Sequence, residues 1–286
     1  MQLKRIVGCI AVKDGRAVQS LGFHRWLPLG RPQIAARYLD RWGIDEIVVL
    51  DIDATARGNG PDRDMVSRVA AGCRVPLTVG GGIRSVDDMR AVLRHGADKV
   101  AVNSAALLTP QMVAEGAAEF GRQCIVASID TDSDGTVFSR HPDAPKGLDA
   151  AAHAAACAER GAGEILLNSV PRDGARGGYD LRLIGRVCGA ISVPLIAVGG
   201  AGHPDHVRAV LADTPAAAAG VGNMLNHGEH SVAVLKAWLR RAGVPVRIDT
   251  AFTYAEFDHD EAGRIARLPD AVLAERFYQE IEQDVI

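Results

Sequence analysis

Residues 193–211, VPLIAVGGAGHPDHVRAVL, repeat residues 75–93, VPLTVGGGIRSVDDMRAVL, at an offset of 118 positions and without a gap. The same offset relates Glu46-Ile47 to Glu164-Ile165, Gly60 to Gly178 and Val69 to Val187. A self-match of that reach is a duplicated array of supersecondary structure. In the first copy, residues 75–79 read as a buried strand that ends at Gly80-Gly81-Gly82. Ser85 then caps a helix, with Asp88 three residues on as a shorter stand-in for the capping-box glutamate. Residues 99–102 form the next strand and deliver Asn103-Ser104 to its end. Strand, glycine turn, helix, strand is one βαβ unit. Several such units said twice predict a parallel α/β fold of two similar halves.

The glycine turns carry chemistry as well as geometry. A phosphate oxygen reaches the backbone N–H groups of such a turn only where no Cβ stands in the way. A tight turn alone also needs glycine, so a single copy decides nothing. The repeat at Gly199-Gly200 makes a pair of anion cradles, one per half, the expectation.

A chain of 286 residues accommodates a (β/α)8 (TIM) barrel, which typically takes about 250. Eight strands can be read along it: 5–12, 46–52, 75–79, 99–102, 124–129, 164–168, 194–198 and 216–221. A loop carrying Phe23, Trp26 and Pro28 follows the first strand. A helix after Pro32 is expected to carry Ile34, Tyr38, Leu39 and Trp42 on one face. A helix from Thr109-Pro110 to Phe120-Gly121 follows the fourth strand, and Asp132-Ser133-Asp134-Gly135 signals a hairpin after the fifth. Barrel chemistry sits at the C-terminal ends of strands, which places Asp51, Asp53 and Asp130 at the active face.

A net charge of −3 gives no nucleic-acid footprint, and no apolar run reaches membrane-spanning length. Residues 1–12 do not have the build of a secretory signal. Five scattered cysteines without a CxxC spacing read as free thiols of a reducing cytoplasm. The composition shifts at Asp249: residues 249–286 hold ten acids and three bases. Residues 1–248 are therefore assigned to the barrel and residues 249–286 to a C-terminal acidic helical extension, with Leu273, Phe277 and Ile281 at helical spacing. His203, His206, His227 and His230 invite a metal reading at i, i+3 spacing. Nothing in the sequence makes them converge, so they read as loop histidines, and neither a metal nor a cofactor is expected.

The segments KRIVGCIAVKDGRAV, DEIVVLDIDA, VPLTVGGGIRSVDD, GADKVAVNSAA, GRQCIVASID, GAGEILL, RDGARGGYD and AGVPVRI, spread over residues 4–248, resemble the HisF family, the cyclase subunits of imidazole glycerol phosphate synthase. The resemblance implies a twofold (β/α)8 barrel docked by its N-terminal face to a HisH-like glutaminase. Ammonia would pass through the barrel to a phosphate-bearing nucleotide at the opposite face. It assigns Gly82, Asn103 and Ser104 to one phosphate and Gly174, Gly200, Gly222 and Asn223 to the other. It assigns Arg5, Glu46, Lys99 and Glu164 to a charged ammonia gate, and Asp98 to the glutaminase contact. A layer of two acids and two bases across a barrel mouth is expensive to desolvate unless paired, which favours a functional gate over a solvated bottom.

The chain departs from the family at the active face. The family sets one catalytic aspartate at the end of the first strand and one at the end of the fifth; here the fifth keeps Asp130 and the first has Ala11. Gln19 replaces the family's loop lysine, and Val198 and Asn223 replace two serines. The loop after the sixth strand, Ser169-Val170-Pro171-Arg172-Asp173-Gly174-Ala175, lacks one carboxylate and one hydroxyl of the family pattern. A missing acid–base partner commonly costs ~10²–10⁴ in rate. Asp53 is a new carboxylate that could compensate. The expectation is a diverged HisF-like subunit that takes ammonia from a HisH-like glutaminase and uses it on, or relays it to, a phosphate or sugar acceptor. The acceptor could sit on a third protein, as in systems that install acetamidino groups on surface sugars. The alternatives are an authentic cyclase of histidine synthesis and a non-catalytic ammonia conduit. A phosphoribosyl isomerase barrel ranks behind these, because it has no use for a charged gate.

Overall fold

The computed structural model describes residues 3–250, 252–254 and 257–275. Its strands are β1 (Arg5–Lys13), β2 (Arg16–Leu21), β3 (Arg25–Gly30), β4 (Glu46–Asp51), β5 (Leu77–Gly80), β6 (Lys99–Val102), β7 (Ile125–Thr131), β8 (Glu164–Ser169), β9 (Leu195–Val198) and β10 (Ala218–Val221). From β4 to β10 each strand lies parallel to the next. β1 pairs with β4 on one side and with β10 on the other, Arg5 opposite Ala218, so the eight parallel strands close into a barrel. Closure leaves the parallel strands no free edge.

The helices are α1 (Pro32–Arg41), α2 (Arg63–Ala70), α3 (Val86–Arg94), α4 (Ser104–Leu108), α5 (Gln111–Phe120), α6 (Ala150–Glu159), α7 (Leu181–Ala190), α8 (Pro204–Asp213), α9 (Ser231–Arg241) and α10 (Asp270–Ala274). Asp62, Ser85, Asp149 and Asp180 accept a backbone N–H at the starts of α2, α3, α6 and α7. Side chains alternate across each strand. One set packs under the helices, and the other, Val7, Val48, Ala101, Val126, Leu166, Ile196 and Ala218, fills the lumen.

The sequence repeat has a physical basis in the glycine contacts. A Cβ at Gly82 would lie 2.9 Å from the backbone of Gly60, and one at Gly200 would lie 2.1 Å from that of Gly178. Both Gly82 and Gly200 have positive φ. Each strand-to-helix turn thus packs main chain to main chain on the loop before it, and the offset of 118 preserves both partners of the contact.

Three expectations need correction, and one element is new. The segment after β1 is not a simple loop: β2 and β3 form an antiparallel hairpin that extends β1 beyond the barrel mouth. Ile34 and Tyr38 on α1 are 46% and 47% exposed, and Ala36 and Leu39 are what α1 buries. The helix expected from Thr109-Pro110 to Phe120-Gly121 is α5, and a short helix, α4, stands before it, ended at Thr109-Pro110. The turn after β7 makes isolated bridges, Thr131 to Val137 and Thr136 to Asp149, in place of a full hairpin.

One buried charge pins the last helix to the barrel. Lys236 of α9 is fully buried and donates to the Gly43 carbonyl at 2.6 Å and to Asp45 at 2.7 Å. Asp45 also accepts from the Ile6 N–H at 2.7 Å. Burial lowers the Lys236 pKa against the pull of Asp45.

The described part of the extension lies against α8 and α9. Phe252 stacks on His230 at 3.8 Å, and the Tyr254 hydroxyl is 2.6 Å from His230 Nδ1. Arg241 donates to the Phe257 carbonyl and to Asp258. Leu273 falls in α10, whereas Phe277 and Ile281 lie outside the described residues.

Candidate active site and ion quartet at the two ends of the barrel

At the N-terminal end four lumen side chains form a closed ring. Arg5 contacts Glu46 at 2.7 Å and Glu164 at 2.5 Å; Lys99 contacts Glu46 at 2.9 Å and Glu164 at 2.7 Å. Thr78 adds a hydroxyl donor to Glu46 at 3.0 Å. The glutamate side chains are 2% and 6% exposed, so the quartet is a buried layer and not a solvated rim. Burial alone would lower Arg5 and Lys99, but the two glutamates outweigh it and hold both above their usual values. Asp98, at the start of β6, is exposed and accepts from the Leu77 N–H at 2.8 Å.

At the C-terminal end the lumen opens on Asp130. One carboxylate oxygen accepts from Asn103 Nδ2 at 2.8 Å and the other from Asn168 Nδ2 at 3.1 Å. Burial pushes the carboxyl up to about 6, against the two amide donors, with Asp173 adding repulsion. A carboxyl in that range can hold or release a proton near neutral pH. Across the mouth, Ala11 pairs in register with Leu50 and Val18 and supplies no polar group.

Asp53 lies outside this arrangement. Within β4, Val48 and Leu50 belong to the lumen set, while Ile47 and Val49 pack in the outer core. Asp51 continues the outer phase. Asp53 sits 2.8 Å from Arg57 and 3.5 Å from Lys13, and Arg57 reaches Asp51 at 3.5 Å. Burial and the neighbouring Asp53 push Asp51 up to about 6. Burial would raise Asp53 too, but Asp51, Arg57 and Lys13 hold it below its usual range. Asp53 also accepts from the Asp14 N–H at 3.3 Å, so with Arg57 and Lys13 it ties the loops after β1 and β4 together.

The hairpin covers the second-half side of the mouth. Asp173 accepts from the Ser20 hydroxyl at 2.6 Å and from the Phe23 N–H at 3.4 Å, and its carbonyl accepts from the Gly22 N–H at 2.9 Å. Asn223 donates to the Ser20 carbonyl at 2.7 Å, and Arg140 donates to that of Phe23. A Cβ at Gly174 would lie 2.6 Å from the Ser20 carbonyl. Gly174 and Asn223 are thus brought to the hairpin and Gly200 to Gly178, and a Cβ at Gly222 would lie 3.2 Å from the Cys9 carbonyl. In the first half Gly82 abuts the loop at Asn59-Gly60, Asn103 holds Asp130, and Ser104 opens α4. Asn168, Ser20 and Asp173 were not singled out as site residues in the sequence. For Asn168 a signal existed: at the repeat offset it corresponds to Leu50, so a carboxamide stands where the other half is apolar.

His203 accepts from the Asp205 N–H at the start of α8 and lies 3.0 Å from the Glu261 carbonyl, and His230 is held by Phe252 and Tyr254. Among the described residues no three His, Cys, Asp or Glu side chains converge as a metal set. All five cysteines are free thiols. Among the described residues no helix is long and apolar enough to cross a membrane.

A closed parallel barrel with its polar cluster at the C-terminal mouth and a charged layer at the opposite end is a (β/α)8 barrel of the TIM class. The family model for histidine biosynthesis proteins matches residues 5–231. Similar proteins include imidazole glycerol phosphate synthase subunit HisF of Caulobacter vibrioides, 44% identical over 250 residues, which are 86% of this chain and 96% of that protein. The subunits named HisF from Myxococcus xanthus and Anoxybacillus flavithermus are each 45% identical, covering 86% of this chain and 99% and 100% of theirs. The chain belongs to the HisF family of histidine biosynthesis proteins.

Proposed function

We propose that this chain is the ammonia-using barrel subunit of a glutamine-dependent amidotransferase, paired with a HisH-like glutaminase at its N-terminal face. Its acceptor differs from the nucleotide that a HisF cyclase uses. The observation that carries this reading is an asymmetry between the two ends. The Arg5–Glu46–Lys99–Glu164 quartet is complete, while at the opposite mouth the first strand offers Ala11, which carries no proton-transfer group, across from Asp130. Ring closure by a HisF-type cyclase asks for an acid and a base on opposite sides of the substrate, and alanine moves no proton.

In this reading Asp130 is the proton-transfer group. Gly82, Asn103 and Ser104 hold one anionic end of the acceptor, and Gly174, Gly200, Gly222 and Asn223 line the end that has changed. Asp98 contributes to the glutaminase contact. Residues 1–248 are the functional barrel, and residues 249–286 an extension that can serve a third protein carrying a sugar acceptor. Asp53 has no catalytic part, because two cations already engage it.

The second reading, an authentic cyclase of histidine synthesis, draws support from the 44–45% identity to HisF subunits. One assay separates the two: the chain, a HisH-type glutaminase, the phosphoribulosyl-formimino nucleotide and ammonium. Cyclase turnover from free ammonium would defeat the different-acceptor reading. Glutaminase stimulation without cyclase products supports it, and Ala11→Asp should then create cyclase turnover. Lys99→Ala tests the gate: glutamine-driven transfer falls while any ammonium-driven activity persists.

A further inference from the structure

Asn168 has one half of its carboxamide spoken for and one half idle. Its Nδ2 donates to Asp130, which fixes the orientation of the group, and its backbone carbonyl accepts from the Thr131 hydroxyl at 3.1 Å. Its Oδ1 is buried and receives no hydrogen bond from any described protein group. The wall beside that oxygen is main chain on one side and a valine on the other. A Cβ at Gly199 would lie 3.0 Å from it, and the register partner of Asn168 on β9 is Val198. The repeat makes the feature specific to one half. The counterpart of Asn168 is Leu50, and the counterpart of Val198 is Gly80, over which Leu50 folds. The second half has exchanged a leucine–glycine pair for an asparagine–valine pair at the mouth of the lumen.

A buried acceptor left without a donor is costly, and folded proteins keep few of them. Leucine at this position would fill the space without that cost, as Leu50 does in the other half. We infer that Asn168 Oδ1 accepts an N–H from a ligand nitrogen brought beside Asp130. The inference rests on the reading that ammonia passes along the lumen. The nitrogen is either ammonia leaving the lumen or an amide or amidine nitrogen of the acceptor, and the chemistry of recognition is the same. Asn168 is then a positioning residue. It orients an N–H-bearing group, leaves the other face of the nitrogen free, and presents it to a carboxyl poised near pH 6.

The test uses the full chain and needs no knowledge of the acceptor. The Asp130 carboxyl carbon is titrated by NMR in ammonium chloride and in sodium chloride at equal ionic strength. Crystals are soaked in methylammonium chloride or in acetamide. Expected for wild type is an ammonium-dependent shift of the Asp130 titration, with the methylammonium nitrogen about 3 Å from Asn168 Oδ1. Asn168→Leu should lose both effects, weakening ammonium binding about five- to tenfold. Asn103→Ala removes the other amide donor to Asp130 but leaves Asn168 Oδ1 in place and should retain the ammonium effect, which separates the role from a merely structural one. Acetamide bound at Asn168 without an ammonium effect would assign the nitrogen to the acceptor. Neither probe at Asn168, or equal ammonium dependence in wild type and Asn168→Leu, overturns the inference. A wild-type chain that shows both effects but no glutaminase stimulation counts against the amidotransferase reading alone.

Discussion

Asp130 sets what the mouth of the barrel can do, and Asn103 and Asn168 set Asp130. Both amides donate to the ionised form, so they oppose the effect of burial. Asn103→Ala removes one donor and should raise the carboxyl further above about 6, a shift readable in the same carboxyl titration. The folded pKa lies above the ordinary value, so protonation favours the folded state. That contribution is present below pH ~4 and is lost as pH rises through about 6. Asp130→Asn should abolish this part of the stability–pH slope. At this scale the sequence was only partly legible. Asp130 stood out because it ends an apolar strand at the active face. Asn168 was read as the last residue of a strand, and its idle oxygen is visible only once Val198 and Gly199 are packed beside it.

Among the elements, the parallel strands and most helices were readable because they are local: apolar runs, glycine turns and capping side chains mark their ends. The β2–β3 hairpin was not. Trp26-Leu27-Pro28-Leu29 shows neither clean alternation nor a proline-free run, and the pairing of β2 with β1 is decided by partners elsewhere, Asp173 and Asn223. Ser20→Ala should loosen this cover. Amide exchange across residues 16–30 should speed up while global stability changes by less than about 1 kcal/mol. The burial of Lys236 was equally hidden, since its partner Asp45 is far away in sequence. Asp45→Ala strands a buried ammonium and should cost about 3–5 kcal/mol in denaturant unfolding, whereas Lys236→Met should cost less.

For the whole molecule, the duplication stated the architecture before any single element did. A gapless offset of 118 residues forces equal halves, and only a closed barrel joins β10 to β1. The extension was legible as a change of charge but not as a place. Its contacts run through aromatic stacking on His230 and the Arg241–Asp258 pair, which composition does not encode. Truncation after residue 248 should lower the melting temperature of the barrel by several degrees through exposure of α8 and α9, with the quartet intact.

Closing a barrel consumes every strand edge, yet the hairpin puts one back. Among the described residues β3 pairs with β2 alone, and its other flank is a row of main-chain groups at the rim of the active mouth. Such a flank recruits strands from other molecules. Here Arg25 and Pro28 lie on it, one adding charge and the other withholding a donor. The composition that hides β3 as a strand also disfavours the pairing of two copies rim to rim.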